Sequence, residues 1–322
     1  MRESYQKINY LRVSVTDRCN FNCIYCRPYE RVKILDRDKI LSFEEITKFV
    51  WLTAKWGIKK IRLTGGEPLI RKDIVKLVGM ISKIKEIEEI TLTTNGVRLE
   101  EFASDLKKGG LSRVNVSLDS LNRKKFIQIT GYDELPKVLR GIRAARKVGL
   151  EPIKINVVVL KGVNDDEVNN FVEFSQKNSL SVRFIEYMPI NGVGDKKWYI
   201  SNEGVKKIIE KKWGKLEPTY FHGAGPAQYF TFKGNSVPIG FISFITHPFC
   251  ESCNRLRLTS EGKLRPCLIS NFEVDIKDAL RGDDDKKIKE LFDLAIQYKI
   301  IREKNPEVNF NKTGKFMFQI GG

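Results

Sequence analysis

Long apolar runs are absent from this chain, and none approaches the roughly 18 residues needed to span a bilayer. Residues 1–10 carry Glu3 and lack the apolar stretch of a secretion signal. Together these absences predict a cytoplasmic protein with no membrane partner. Histidine is scarce, with only His222 and His247. No internal repeat or low-complexity segment stands out. A G-x4-G-K-[ST] phosphate loop is missing too, because the Gly-Lys pairs starting at Gly214, Gly262 and Gly314 continue into Leu, Leu and Phe. Acidic residues are outnumbered, 40 against 57 Lys and Arg, for a formal charge of +17. That excess favours an anionic partner, either nucleic acid or a polyphosphate. Lys and Arg are spread along the whole chain, so much of the charge reads as solvated surface.

Cysteine is sparse but concentrated. The chain has six, an even number, yet disulfide scaffolds are usually short, secreted and cysteine-dense. Here all six fall in two groups of three, at residues 19–26 and 250–267. Two groups of three read as two inorganic sites.

Strand-like apolar runs at residues 11–15, 60–64, 90–93, 113–118, 153–160 and 182–187 alternate with helix-like stretches at 42–56, 73–83, 100–108, 134–148 and 165–177. Ser42 followed by Glu45 has capping-box spacing and predicts a helix start there. Alternation of this kind predicts an α/β fold with parallel strands and right-handed crossovers. A doubly wound sheet and a barrel both fit. Six units fall short of the eight in a full barrel, so an open partial barrel is expected, with ligands beyond the C-terminal strand ends. The first cysteine group, Gly65-Gly66-Glu67-Pro68, Thr94-Asn95-Gly96 and Asp119-Ser120 follow the first four strands in turn. Pro, Asn and Gly interrupt the pattern at 189–197. We expect a barrel domain over 1–190 and a smaller C-terminal α+β unit over 191–322 that closes the barrel mouth and carries the second cysteine group.

Cys19-x3-Cys23-x2-Cys26 places three thiols in one loop. Four-iron clusters are normally held by four cysteine thiolates. Three ligands leave one iron open, as a catalytic metal site requires. Zinc is the competing reading, but neither histidine is near in sequence to complete that site. With Tyr25 before the last cysteine, this motif resembles that of the radical S-adenosylmethionine superfamily. The resemblance implies a partial (β/α)6 TIM-like barrel and a [4Fe-4S] cluster at Cys19, Cys23 and Cys26. It also implies an S-adenosylmethionine whose reductive cleavage yields a 5′-deoxyadenosyl radical. Gly65, Gly66 and Glu67 look like the family's methionine-binding motif, and Tyr25, Thr93, Thr94, Ser117 and Met188 are the further cofactor contacts implied.

Cys250-x2-Cys253-x13-Cys267, read alone, suits zinc with His247 as the fourth ligand. The surrounding run from Phe249 through Arg255, Arg257 and Gly262 to Leu268 instead resembles the C-terminal signature of the GTP 3′,8-cyclase family of molybdopterin biosynthesis. The likeness extends over essentially the whole chain. It implies a second [4Fe-4S] cluster at Cys250, Cys253 and Cys267 that positions guanine, and a terminal Gly321-Gly322 tail entering the active site. A triphosphate held without a phosphate loop needs convergent Lys and Arg. The positions implied are Arg12, Lys60, Arg62, Lys154, Arg183, Arg255 and Arg257. Arg255 and Arg257 are also the candidates for a late reduction or protonation step after C3′ of GTP joins C8. The implied partners are GTP, an external electron donor and a cyclic pyranopterin monophosphate synthase that receives the product. A homodimer is expected and nucleic acid is not. Two rival readings are a radical enzyme acting on RNA or a peptide, and a basic zinc-containing protein that binds nucleic acid.

Overall fold

The computed structural model describes residues 7–27, 34–221, 225–304, 310 and 314–321. Six strands and the helices between them make its first part. They are β1 (Tyr10–Ser14), α1 (Phe43–Lys55), β2 (Lys60–Thr64), α2 (Ile74–Ile81), β3 (Glu89–Thr94), α3 (Leu99–Lys108), β4 (Arg113–Ser117), α4 (Arg123–Thr130), α5 (Leu135–Lys147), β5 (Lys154–Val159), α6 (Val168–Asn178) and β6 (Ser181–Glu186). Then come α7 (Asn202–Trp213), β7 (Glu217–Thr219), β8 (Gln228–Thr231), β9 (Ile239–Ile242), β10 (Arg255–Leu258), β11 (Lys263–Arg265), β12 (Val274–Asp275), α8 (Lys277–Arg281), α9 (Asp285–Lys304) and α10 (Met317–Ile320).

Alternation along the strands explains the architecture. Leu11, Val13, Ile61 and Leu63 point outward into one continuous core with the helices, all with no exposed surface. Each such burial stabilises the fold by about 1.5–3 kcal/mol. The intervening residues are polar and face the barrel interior. Parallel register sets Arg257 beside Arg12 and Arg12 beside Arg62, so three guanidinium groups stand abreast on β10, β1 and β2.

The six expected strands are present, and they are not the whole parallel set. β10 pairs in parallel with β1 and β9 with β6, so β10, β1–β6 and β9 run parallel side by side. Beyond them β11, β12, β8 and β7 turn antiparallel. The result is an open α/β barrel whose later strands extend both edges of one sheet. Helix α1 starts with the expected capping box. Ser42 Oγ accepts from Glu45 N at 3.1 Å, and Glu45 Oε2 accepts from Ser42 N at 2.6 Å; such a cap is worth about 1 kcal/mol. Helix α4 has no counterpart in the apolar pattern, because three of its eight residues are basic. Its ends carry the usual signals: Asn122 Oδ1 accepts from Lys124 N and Lys125 N, and Gly131 closes it at φ 80°. Among the described residues no helix is long and apolar enough to cross a membrane.

Candidate active site

The first cysteine loop leaves β1 and is fastened from three sides. Asn22 N donates to Thr130 O at 2.9 Å and Ile24 N to Ile129 O at 3.0 Å, which ties the loop to the end of α4. Residues 23–26 close a turn through Cys26 N to Cys23 O at 3.0 Å. Tyr25 OH donates to Asp119 Oδ2 at 2.6 Å, and Asp119 Oδ1 accepts from Val158 N at 2.8 Å. Asp119 thus links the ends of β4 and β5 to the cysteine turn. The third side is Gly65-Gly66-Glu67 beyond β2. Gly66 N donates to Thr16 O and Glu67 N to Arg18 O, both at 2.7 Å. A Cβ on Gly66 would lie 2.1 Å from Arg18 O, so only glycine permits that approach.

Burial pushes the Cys19 thiol up to about 11, with Glu67 adding to it. Burial and then Cys19 push Cys26 up to about 12, and Cys23 rises well above the ordinary range through burial, Cys26 and Asp119. Thiols in such surroundings become thiolates when a cationic centre binds between them. Three thiols with no fourth ligand on the loop suit a four-iron cluster with one open iron.

Glu67 is buried, and burial raises its carboxyl to about 7. Its oxygens are taken by Leu69 N at 3.0 Å, Thr94 Oγ1 at 2.7 Å and Asn95 N at 2.6 Å. Glu67 and Thr94 therefore brace the junction of β2 and β3. Thr93 accepts from Arg62 Nη1 at 3.2 Å. Ser117 and Met188 line the same cavity.

Cys250, Cys253 and Cys267 line that cavity too. Cys253 N donates to Cys250 O at 3.1 Å, so those two sit on one turn, while Cys267 follows β11. Burial would raise Cys253, but Arg255 and Lys299 outweigh it and hold the thiol at about 6. Cys250 is raised, by burial and then by Cys267 and Cys253. Among the described residues no three His, Cys, Asp or Glu side chains close around a single metal ion.

The same cavity has a basic floor. Arg12, Arg62, Arg183, Arg255 and Arg257 all line the cavity. Burial, then Arg255, brings Arg257 down to about 10. Burial also brings Arg183 to about 10, with Arg62 and Arg113 adding to it against Tyr229. Arg183 Nε is buried with no hydrogen-bond partner among the described residues. Arg12 Nη2 and Arg257 Nη1 both donate to the Gly321 carbonyl, at 3.2 and 2.9 Å. Gly321 lies at φ 76°, and a Cβ there would come 2.7 Å from Thr64 Cγ2, so the tail needs glycine to reach this floor. Gly322 lies outside the described residues, as does His222.

Two expected substrate contacts stand apart. Lys154 is 2% exposed and packs on Phe221 and Tyr229, and Lys60 shares a register row with Tyr10 and Glu89. Neither is among the residues that line the cavity. Tyr10, Asn95, Asp119 and Asn156 do line it without having been singled out as contacts. Tyr10 takes a hydrogen bond from Arg62 Nε. Asn156 Oδ1 is buried with no partner among the described residues. The signal for Asn156 was in the sequence, as a polar residue two along from Lys154 in an otherwise apolar strand.

An open parallel barrel with a three-cysteine turn at its mouth is the architecture of radical S-adenosylmethionine proteins, and the comparisons agree. Residues 13–175 match the Radical SAM superfamily and residues 180–305 match Molybdenum Cofactor Synthesis C. Streptococcus suis SuiB bound to S-adenosylmethionine superposes with a TM-score of 0.62 at 16% identity, over 86% of this chain. This chain spans 64% of the SuiB chain. The protein anSMEcpe with bound AdoMet gives a TM-score of 0.58 at 17% identity, over 84% of this chain and 75% of that one. Both likenesses concern the fold. In sequence the chain is 48% identical to the GTP 3′,8-cyclase of Thermodesulfovibrio yellowstonii, over 93% of this chain and 94% of that one. It is 46% identical to the GTP 3′,8-cyclase of Petrotoga mobilis, over 98% of both. The chain belongs to the GTP 3′,8-cyclase family of the radical S-adenosylmethionine superfamily, whose members use a [4Fe-4S] cluster and S-adenosylmethionine.

Proposed function

We propose that the protein converts GTP to (8S)-3′,8-cyclo-7,8-dihydroguanosine 5′-triphosphate in molybdopterin biosynthesis, in one cavity that holds two [4Fe-4S] clusters. The observation that carries this reading is the shared cavity: both cysteine trios and the arginine floor face one space. Residues 1–190 supply the first cluster and S-adenosylmethionine, and residues 191–322 the second cluster and much of the substrate contact. When bound, the first cluster and S-adenosylmethionine supply a 5′-deoxyadenosyl radical that takes a hydrogen atom.

The chain's own residues do the rest. Cys19, Cys23 and Cys26 hold the first cluster, and Tyr25 is fixed beside it by Asp119. Gly65, Gly66, Ser117 and Met188 shape the S-adenosylmethionine site, with Glu67, Thr93 and Thr94 bracing its wall. Arg12, Arg62 and Arg183 receive the triphosphate, where bidentate charge-assisted bonds replace a phosphate loop. Lys60 and Lys154 support that layer from the neighbouring row of their strands. Cys250, Cys253 and Cys267 would hold the second cluster, which would supply a site for guanine; the hydrogen lost is the one on ribose C3′, and the new bond joins C3′ to C8. Arg255 and Arg257 are the arginines whose charges act on Cys253 and serve the final reduction or protonation, while Gly321 of the tail meets the floor beside Arg257. Two electrons are needed, one for cleavage of S-adenosylmethionine and one, with a proton, for the cyclised radical, and both come from an external donor. A cyclic pyranopterin monophosphate synthase receives the product, and the protein acts as a homodimer in the cytoplasm.

Metal analysis of protein purified without oxygen tests the two-cluster reading. Iron and sulfide sufficient for two four-iron clusters, with GTP bound tightly, is the expected result. Zinc at the second trio, or a chain that binds RNA and ignores free GTP, contradicts it.

A further inference from the structure

The two cysteine trios differ in the balance of charge around them. The first faces Glu67 and Asp119, with Arg27 as an opposing cation. The second faces Arg255, Arg302 and Lys299. Of those three cations Lys299 is set apart by its placement. It comes from α9 and is 4% exposed. Its Nζ donates to Cys253 Sγ at 3.3 Å and to Pro266 O at 3.3 Å. Pro266 directly precedes Cys267, so one ammonium bridges the Cys250–Cys253 turn and the Cys267 arm.

A buried ammonium is costly unless it faces negative charge. Among the described residues no carboxylate pairs with Lys299. Its hydrogen bonds go to a ligand sulfur and to the carbonyl beside another ligand. The counter-charge that justifies its burial is therefore the thiolate centre itself.

We infer that Lys299 is a positioning residue of the second cysteine centre, tying its two arms together and raising the reduction potential of the cluster bound there. The inference rests on the two-cluster reading above. One added electron makes such a cluster more negative, so a nearby N–H···S bond from a cation stabilises the reduced form more than the oxidised one. Arg255 and Arg302 add positive charge around the same trio.

The test uses the full chain with Cys19, Cys23 and Cys26 changed to Ser, reconstituted with iron and sulfide, so that only the second cluster is seen. Its midpoint potential is read by electron paramagnetic resonance during a redox titration. Lys299→Met should lower the reduced-to-oxidised ratio at fixed potential about tenfold, a shift of about 59 mV for one electron. Lys299→Arg, which keeps a charged donor, should stay close to the parent. Loss of the cluster from Lys299→Met with retention in Lys299→Arg also supports the inference. Equal potentials in the parent and Lys299→Met, or cluster loss in both variants, overturn it. A parent that takes up no iron at residues 250–267 overturns the two-cluster reading as well, and this shows before any Lys299 variant is compared.

Discussion

Arg257 carries two duties that its surroundings make separable. It is buried in the floor, and its guanidinium reaches the Gly321 carbonyl at 2.9 Å. It is not a cluster ligand, so Arg257→Ala should leave iron content intact. Loss of a charge-assisted hydrogen bond of about 1.5–3 kcal/mol corresponds to at least a tenfold fall in kcat/KM for GTP. Unchanged turnover would remove Arg257 from the reaction. Lys154 gives a prediction in pH. Burial, then Arg183, Arg113 and Arg62, bring its ammonium from 10.5 down to about 7. Between those values the unfolded chain binds a proton that the folded chain does not, so stability rises with pH across the window. Lys154→Met should flatten that slope, as read from denaturation midpoints at about pH 7.5 and about pH 9.5; equal slopes in the two proteins would contradict it. The cysteines were legible because their spacing is itself the chemistry. Lys299 was not, since one lysine in the charged helix α9 has no sequence mark that separates it from its exposed neighbours. Only the packing of α9 against residues 253 and 266 singles it out.

Elements position these residues, and the turn after β2 is the most exacting of them. A methyl on Gly66 meets backbone at Arg18 rather than a side chain that could swing away. Gly66→Ala should therefore displace the first cysteine loop and lower iron at that site while sparing the second trio. Gly79, inside α2, has open space around its missing Cβ. Gly79→Ala is the matched control and should stabilise the fold by about 0.5–1 kcal/mol with full iron content. Iron assays beside thermal melts check both, and equal behaviour of the two variants would deny the loop its close contact. The tail is the other exacting element. Lys315 pairs with Glu261 and lies 3.3 Å from Glu273, and burial lowers its ammonium to about 8. Phe318 and Ile320, further along the tail, are buried, and together with this ion pair they seat it. Lys315→Met should speed hydrogen exchange at residues 316–321 and weaken turnover without changing iron; unaltered exchange would show that the apolar contacts suffice. The first six strands were readable from their apolar cores to within a residue or two at most ends. α4 was not, because its signal lies in its caps rather than in a repeating apolar face.

Across the whole molecule, the two ends of the chain meet because β10 joins the free edge of β1 in parallel, while β9 joins β6. That pairing puts Arg257 beside Arg12 and brings the second cysteine group to the mouth where the first one lies. The motifs could be read from the sequence, but not this convergence, since β10 is four residues long and nothing in it names its partner. A doubly wound sheet and an open barrel fitted the same alternation until the edges were seen. The central claim is that one cavity couples radical formation at the first trio to a GTP held at the second. It is tested most directly by incubating the reconstituted protein without oxygen with S-adenosylmethionine, a strong reductant and GTP, then weighing the products by mass spectrometry. The account predicts 5′-deoxyadenosine together with a cyclised GTP derivative. Deoxyadenosine formed without any GTP-derived product, in protein that carries both clusters, would contradict it.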